Sequence, residues 1–249
     1  MRVKAHVVDR KDRGVKYGNA SPAAPAQGLL ATARHLSMQR SALHLVAGGT
    51  IATLWGWGLK WWTPAFLMRV HGFSVDATGA TLGRMHLLGG IVGTLATSVA
   101  VSPRFARDSR RVVWLMAAVI SIATIPSMFA YWTHSRILAI VALWAVVPAV
   151  YFFIGPTLGL LQNVMPSPMR AQTVAILLFT ANVANLIVAP QLIGLASDAL
   201  AGPLGGNGAS LRVALLALAP TGFWAAYHYC AAARRIREDE ARNSPGSVW

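Results

Sequence analysis

Charged side chains are scarce in this sequence: they make up 12% of the 249 residues, about half the share of an ordinary soluble domain. Because 55% of the chain is hydrophobic, the excess apolar surface is predicted to face lipid. The single cysteine, Cys230, excludes an intrachain disulfide and a cysteine-based metal site. Residues 1–40 contain no long apolar stretch, so we expect no signal peptide and expect the first membrane helix to direct insertion.

Motifs for catalysis and cofactor binding are also missing. The sequence has no GxSxG elbow, no P-loop and no histidines at metal-ligand spacing, so we expect no catalytic residue, metal or cofactor. The net charge of +14 is not read as a nucleic-acid site, because the basic residues stand in short segments between apolar runs. An intramembrane enzyme built on His44, His71, Asp76 and His86 remains a rival hypothesis, although their predicted depths scatter across the membrane.

The sequence does contain six apolar runs, each near the ~20 residues that cross about 30 Å of hydrocarbon. They lack strand-like alternation, so we predict an all-α membrane protein with six transmembrane helices. The runs lie near residues 43–66, 79–101, 112–133, 137–161, 172–197 and 211–233. They divide the chain into a polar arm at 1–40, a transmembrane domain at 41–233 and a tail at 234–249. Residues 29–38 of the arm can form a short interfacial helix.

The loops predict the orientation of these helices. Of the 22 lysines and arginines, 17 fall in the arm, in the loops after the second and fourth helices, and in the tail. The positive-inside rule then predicts a protein of the inner cell membrane with both termini in the cytoplasm.

Polar and aromatic residues within the helices are the candidates for a substrate cavity. Asn182 and Asn185 lie about 17–20 Å from the start of the fifth helix, near the midplane, where amides need partners. The predicted cavity residues are His86, Tyr151, Phe152, Asn182 and Asn185. For His86, a partner on a neighbouring helix is an equally open interpretation, and for the aromatic residues plain helix packing is the more common case. Lys60 and Arg84 lie close enough to the outer helix ends for their side chains to snorkel to the interface.

Prolines and small residues interrupt the helices. Six prolines at 64, 126, 148, 156, 190 and 220 permit kinks, as in helices that move or simply in membrane helices generally. The second helix has two GxxxG pairs, Gly79 with Gly83 and Gly89 with Gly93, which favour close helix contact or a gating hinge. The candidate gating or structural residues are Gly89, Gly93, Pro156, Arg170, Pro190 and Asp198. The aromatic belt at the outer interface accounts for Trp61 and Trp62.

Several stretches, taken together, resemble one known family. They are WTPAFLMRVHGFS at 62–74, TGATLG at 78–83, GGIVG at 89–93, GP at 155–156, PSPMRA at 166–171 and APQLIGLASD at 189–198. Over about residues 40–233, the chain resembles the C-terminal half of a major facilitator superfamily transporter, most closely the Spinster-like group. Ser102 departs from the family pattern, since an acidic residue usually stands there.

The resemblance implies a fold and a function. Family members have two six-helix halves, each made of two inverted three-helix repeats, with a substrate cavity between the halves. It further implies that residues 1–40 correspond to the linker between the halves, and that Arg170 steadies the cytoplasmic end of the fifth helix. We expect half of a secondary transporter for an organic or lipid-like solute. The alternative is a truncated or split-carrier half that is inactive without an N-terminal-half partner chain or a second copy.

Overall fold

The computed structural model describes residues 28–102, 108–204 and 206–242, which form one short and six long helices and contain no strand. The short helix is Leu29–Met38. The long helices, numbered first to sixth along the chain, have the following bounds. The first is Arg40–Thr53, a π-helical segment Leu54–Gly58, and Leu59–His71; the second is Val75–Ala100; the third is Ser109–Trp132; the fourth is Arg136–Phe152 and Ile154–Val164; the fifth is Arg170–Asn182, a π-helical segment Val183–Val188, and Ala189–Ala201; the sixth is Asn207–Leu218 and Thr221–Arg242.

The third to sixth long helices are long and apolar enough to cross a membrane. The first and second have comparable lengths but are richer in glycine, and they carry basic side chains away from their ends, Lys60 in the first and Arg84 in the second. They pack with the other four in one bundle, in which the first long helix contacts all the others. The all-α prediction is confirmed, and the six helices follow the six apolar runs.

The second, third and fourth long helices begin before their apolar runs do, because polar residues cap them. The Ser74 side chain accepts a hydrogen bond from Ala77 N at the start of the second long helix. The Ser135 side chain accepts one from Leu138 N at the start of the fourth. Such caps satisfy backbone donors that the helix itself leaves free, so the helix can start in polar sequence. At the other end of the chain, the sixth long helix continues to Arg242, past the tail boundary predicted at 234.

Hydroxyl and indole groups link the helices inside the bundle. Trp55 is fully buried and its Nε1 donates to Ser127 Oγ of the third long helix at 3.2 Å. Thr157 and Tyr229 share a hydrogen bond of 2.8 Å between the fourth and sixth. Polar groups in lipid need such partners on other helices, and each contributes on the order of 1 kcal/mol to association. These bonds fix how the helices are rotated against one another.

The two GxxxG pairs of the second long helix behave differently. Gly89 and Gly93 lie against the fourth long helix: a Cβ on Gly89 would stand 2.6 Å from Val147 Cγ1, and one on Gly93 would collide with the Pro148 carbonyl oxygen. By contrast, a Cβ on Gly79 or Gly83 would have no neighbouring atom within 4 Å. The expectation of close helix contact is therefore wrong for the Gly79–Gly83 pair in the described structure.

The end of the bundle at which the first long helix begins is called the terminal end here. Ser41 N donates to Asp239 Oδ2 at 3.0 Å, so a nearly buried carboxylate of the sixth long helix caps the first. The short helix Leu29–Met38 joins the same end, where Thr32 Oγ1 donates to Gln172 Oε1 of the fifth. The described part of the predicted arm is thus packed helix, while residues 1–27 lie outside the described residues.

The sixth long helix also holds the start of the third. Arg237 forms an ion pair with Asp108, and Ser109 Oγ donates to Glu240 Oε1 at 2.5 Å. The hydrogen bond from Arg237 holds the pKa of the Asp108 carboxyl below its usual value of 3.8. Charged residues beyond the apolar run are therefore ordered as helix because they have partners at this end.

Candidate functional site

Four side chains from three helices meet in one cluster near the middle of the bundle. His86 Nδ1 of the second long helix lies 3.2 Å from Tyr151 Oη of the fourth, within hydrogen-bond distance. The Tyr151 ring packs edge-to-face on Trp57 of the first, with 5.3 Å between centroids. Lys60 Nζ lies 4.3 Å from the centroid of the Trp57 ring, a cation–π contact. We call Trp57, Lys60, His86 and Tyr151 the central cluster.

The π-helical segment Leu54–Gly58 positions the first-helix members of this cluster. A π-helical turn holds an extra residue, so it changes which side chains point towards each neighbouring helix. Trp57 lies within the segment and Lys60 lies just after it. The sequence pattern predicted His86 and Tyr151, but it left Trp57 out of the cavity and placed the Lys60 side chain at the outer interface, because nothing in the local pattern indicates a π-helical turn.

Lys60 and His86 border two spaces. The inner one is a cavity of about 30 Å³ that also touches Ser127 and Tyr131, large enough for a water molecule. The outer one is an open groove of about 420 Å³ between the first and second long helices. Its remaining lining is Pro64, Met68, Val75, Thr78, Gly79, Leu82 and Gly83. Apart from Thr78, that lining is apolar, so Lys60 and His86 supply most of the polar side-chain groups of the groove.

The predicted asparagines occupy a second location, between the first and fifth long helices. Asn185 is nearly buried, and its Oδ1 accepts a 2.8 Å hydrogen bond from Trp61 Nε1. Asn182 is exposed, and its amide donates to Leu178 O within its own helix at 2.7 Å. The structure therefore does not bring the asparagines to the central cluster.

Trp61 and Trp62 bridge the first and fifth long helices as well as facing the bundle surface. Trp62 Nε1 donates to Pro190 O at 3.1 Å, and both indoles line a groove of about 400 Å³. Tryptophan in a membrane protein combines an apolar ring with an N–H that seeks an acceptor. The belt interpretation accounted for their depth but not for these partners.

Phe152 faces away from its predicted companions. It is 4% exposed and lines an apolar groove of about 490 Å³ with Gly93, Val119 and Pro148. Tyr151 precedes it in the same helix, and adjacent helical residues point about 100° apart. Phe152 is thus placed in the packing between the second, third and fourth long helices.

The candidate gating residues are dispersed through the bundle. Pro156 is buried just after the break at Phe153, and Pro190 follows the π-helical segment Val183–Val188. Arg170 Nε donates to Met165 O at 3.2 Å, so it ties the end of the fourth long helix to the fifth rather than acting on the fifth alone. Asp198 is exposed near the opposite end of the fifth.

The residues of the rival enzyme hypothesis do not converge. His44 Nδ1 lies 2.9 Å from His228 Nδ1, while His71 stacks edge-to-face on Phe66. His44 and His71 stand at the two ends of one helix, about 40 Å apart at ~1.5 Å per residue. Within the described residues, no three His, Cys, Asp or Glu side chains are grouped so as to hold a metal ion.

Comparison with known proteins agrees with this architecture. No family model matches the chain. An MFS-type efflux pump of Mycolicibacterium smegmatis is 28% identical over 210 residues, which cover 84% of this chain and 49% of the pump, in its C-terminal half. Two crystal structures of a bacterial homologue of the human lysosomal transporter Spinster also match. The inward-facing occupied form has a TM-score of 0.70 at 23% identity, covering 85% of this chain and 52% of that one. The inward-facing unoccupied form has a TM-score of 0.74 at 22% identity, covering 92% and 54%.

These matches define the class of fold. The chain has the architecture of one six-helix half of a major facilitator superfamily transporter, and it spans about half the length of the relatives that it matches. The resemblance to the Spinster-like group is confirmed at the level of the fold. The matched proteins are transporters and not enzymes.

Proposed function

We propose that this chain forms one half of a secondary transporter that moves an organic or amphiphilic solute across the membrane. The observation that carries the proposal is the placement of polar and aromatic side chains within a fold that resembles one six-helix half of a major facilitator transporter. The central cluster joins the first, second and fourth long helices, and the Trp61–Asn185 hydrogen bond joins the first and fifth. In carriers of this architecture the substrate cavity lies between the two halves, near the midplane.

We further propose that the second half is supplied by other polypeptide, either an N-terminal-half chain or a second copy. Large apolar side chains are exposed along the second and fifth long helices, where they can face a partner or lipid. They include Leu87, Ile91, Leu95, Leu178, Leu186 and Leu195. A C-terminal tag at the native locus tests this directly. A membrane band near 26.5 kDa supports a separate half, whereas one about twice that size in strong denaturant shows that both halves belong to one chain.

The proposed location is the inner membrane with both termini in the cytoplasm. The support is the charge distribution, with 17 of 22 basic residues in segments on one side. Reporter fusions after Arg242 test it: a cytoplasmic reporter such as green fluorescent protein should be active there, and alkaline phosphatase inactive. The opposite pattern would reverse the orientation.

Transport itself is tested by replacing the fifth-helix amides in the native host. We expect the double variant Asn182→Leu and Asn185→Leu to lose efflux of fluorescent amphiphiles while still inserting into the membrane, because Trp61 loses its acceptor. The dyes are dansyl-undecanoic acid, Nile red and ethidium, which carry negative, no and positive charge. Gln191→Leu, which removes an exposed amide from the same helix, is the matched control. Unchanged efflux by the double variant would count against a substrate-binding role for Asn182 and Asn185 of the fifth long helix.

A further inference from the structure

Lys60 is a half-buried cation of the first long helix, and no carboxylate among the described residues forms an ion pair with it. The described ion pairs lie at the terminal end, and none of the carboxylates that the structure describes is within 4 Å of Lys60 Nζ. Its contact is with Trp57, which precedes it by one turn, so the ammonium lies towards the middle of the helix and not towards the end at His71. An ionisable residue held at depth in a membrane protein usually marks a functional site.

His86 offers a second donor at the same place. Its Nδ1 lies within hydrogen-bond distance of Tyr151 Oη, which fixes the ring and leaves Nε2 for another partner. Both His86 and Lys60 line the groove of about 420 Å³ and the smaller inner cavity. Two nitrogen groups from two helices therefore border one space.

The groove beside them suits an apolar body. Its volume of about 420 Å³ falls within the usual range of small-molecule pockets, roughly 300–1,000 Å³. Pro64, Met68 and Leu82 supply its apolar walls. Gly79 and Gly83 leave open space on the second-helix side of the groove, since a Cβ on either residue would have no neighbouring atom within 4 Å. The GxxxG pair that makes no helix contact thus borders the open groove.

We propose that Lys60 and His86 form a binding site for an organic anion, with its carboxylate or phosphate group at these two side chains and its apolar body in the groove. The inference rests on the proposed transport function and specifies its substrate class. An anion supplies the negative counter-charge that the described residues do not provide to Lys60. Charge-assisted hydrogen bonds strengthen in a low-dielectric setting. Without ligand, the Trp57 ring provides partial compensation through its negative face.

Binding is measured on the tagged full chain purified from its native membranes, so that any partner half is retained, in phosphatidylcholine nanodiscs. The probes are radiolabelled decanoate and decyl phosphate, with decyltrimethylammonium as the cationic counterpart and empty nanodiscs as the background. Decanoate binding with no decyl phosphate binding assigns the site to carboxylates, and the reverse assigns it to phosphates. We expect Lys60→Gln to weaken anion binding by at least ~10-fold, as for loss of a charged hydrogen bond.

Two further variants separate charge at the site from charge in general. Lys60→Arg should retain affinity within about threefold, because the positive charge remains. Arg84→Gln removes a positive charge from an exposed side chain of the second long helix that does not line the groove, and should change affinity by less than about twofold. Equal binding by Lys60→Gln and the unmodified protein, or equal binding of the cationic probe, would overturn the proposal.

The outcome is independent of the transport test. Efflux of Nile red and ethidium that is lost in the asparagine double variant but unaffected by Lys60→Gln, with no anion binding, would leave transport standing and remove the anion site. Anion binding that depends on Lys60, without efflux of any dye, would leave the site standing and remove the transport proposal.

Discussion

The contact of Gly93 with the fourth long helix predicts a sharp penalty for the smallest substitution. In Gly93→Ala the new methyl group would collide with the Pro148 carbonyl oxygen and stand 2.9 Å from Tyr151 Cβ. A backbone carbonyl cannot rotate away as a side chain can, so one helix must move. Overpacking of this kind costs about 1–3 kcal/mol. Alanine recovers up to ~1 kcal/mol of helix propensity, so the expected net loss is about 0–2 kcal/mol, and a glycine-to-alanine variant without the clash should be about 1–3 kcal/mol more stable than Gly93→Ala.

Gly83→Ala is the matched control in the same helix. No atom lies within 4 Å of the new methyl group, so the variant should be neutral or stabilised by up to about 1 kcal/mol. Both free energies are obtained from unfolding titrations with sodium dodecyl sulfate in mixed micelles. Equal stability of the two alanine variants would refute the reasoning, because the two glycines would then sit in equivalent surroundings. A loss of transport in Gly93→Ala without any loss of stability would favour a gating hinge over packing.

Two further predictions concern the terminal end. Asp239→Ala should destabilise the protein by about 1 kcal/mol in the same titration, because the first long helix loses its cap, whereas Glu238→Ala, an exposed neighbour, should change it by less than about 0.5 kcal/mol. The Asp108–Arg237 pair stabilises at pH above the usual carboxyl pKa of 3.8, and that contribution is lost as pH falls through the lower folded pKa. Hydrogen exchange at the end of the sixth long helix, corrected for intrinsic rates, should therefore accelerate on acidification, and an equal acceleration in Asp108→Asn would exclude the pair as its cause.

The number and type of helices could be predicted because hydrophobic length is a property of the local sequence. The helix ends could not, since they depend on partners elsewhere in the chain. The sixth long helix reaches Arg242 through a polar stretch whose residues bind the starts of the first and third. Composition alone marked that stretch as tail, and only the packed bundle supplies the contacts that make it helix.

The two GxxxG pairs show a second limit of local patterns. Gly83 and Gly93 are ten residues apart, and at about 100° per residue they differ by about 80° around the helix. Both pairs satisfy the same sequence motif, but only Gly89 and Gly93 face the fourth long helix. The motif reports that close approach is sterically allowed, while the rotation of the helix against its neighbours decides whether it occurs.

Part of the candidate site could be predicted from the positions of residues along their helices. Depth follows from distance along a helix, so His86, Tyr151 and Asn185 could be placed near the midplane by counting residues. Partnership requires knowing which helices touch, and two π-helical segments alter the facing of the first and fifth long helices in ways that counting does not anticipate. These segments contact each other, and Gly58 in one lies so close to Ala189 that a Cβ there would collide. Lys60 and Asn185 flank this contact on either helix, so a movement of the first long helix against the fifth would shift the proposed anion site and the Trp61–Asn185 bond together.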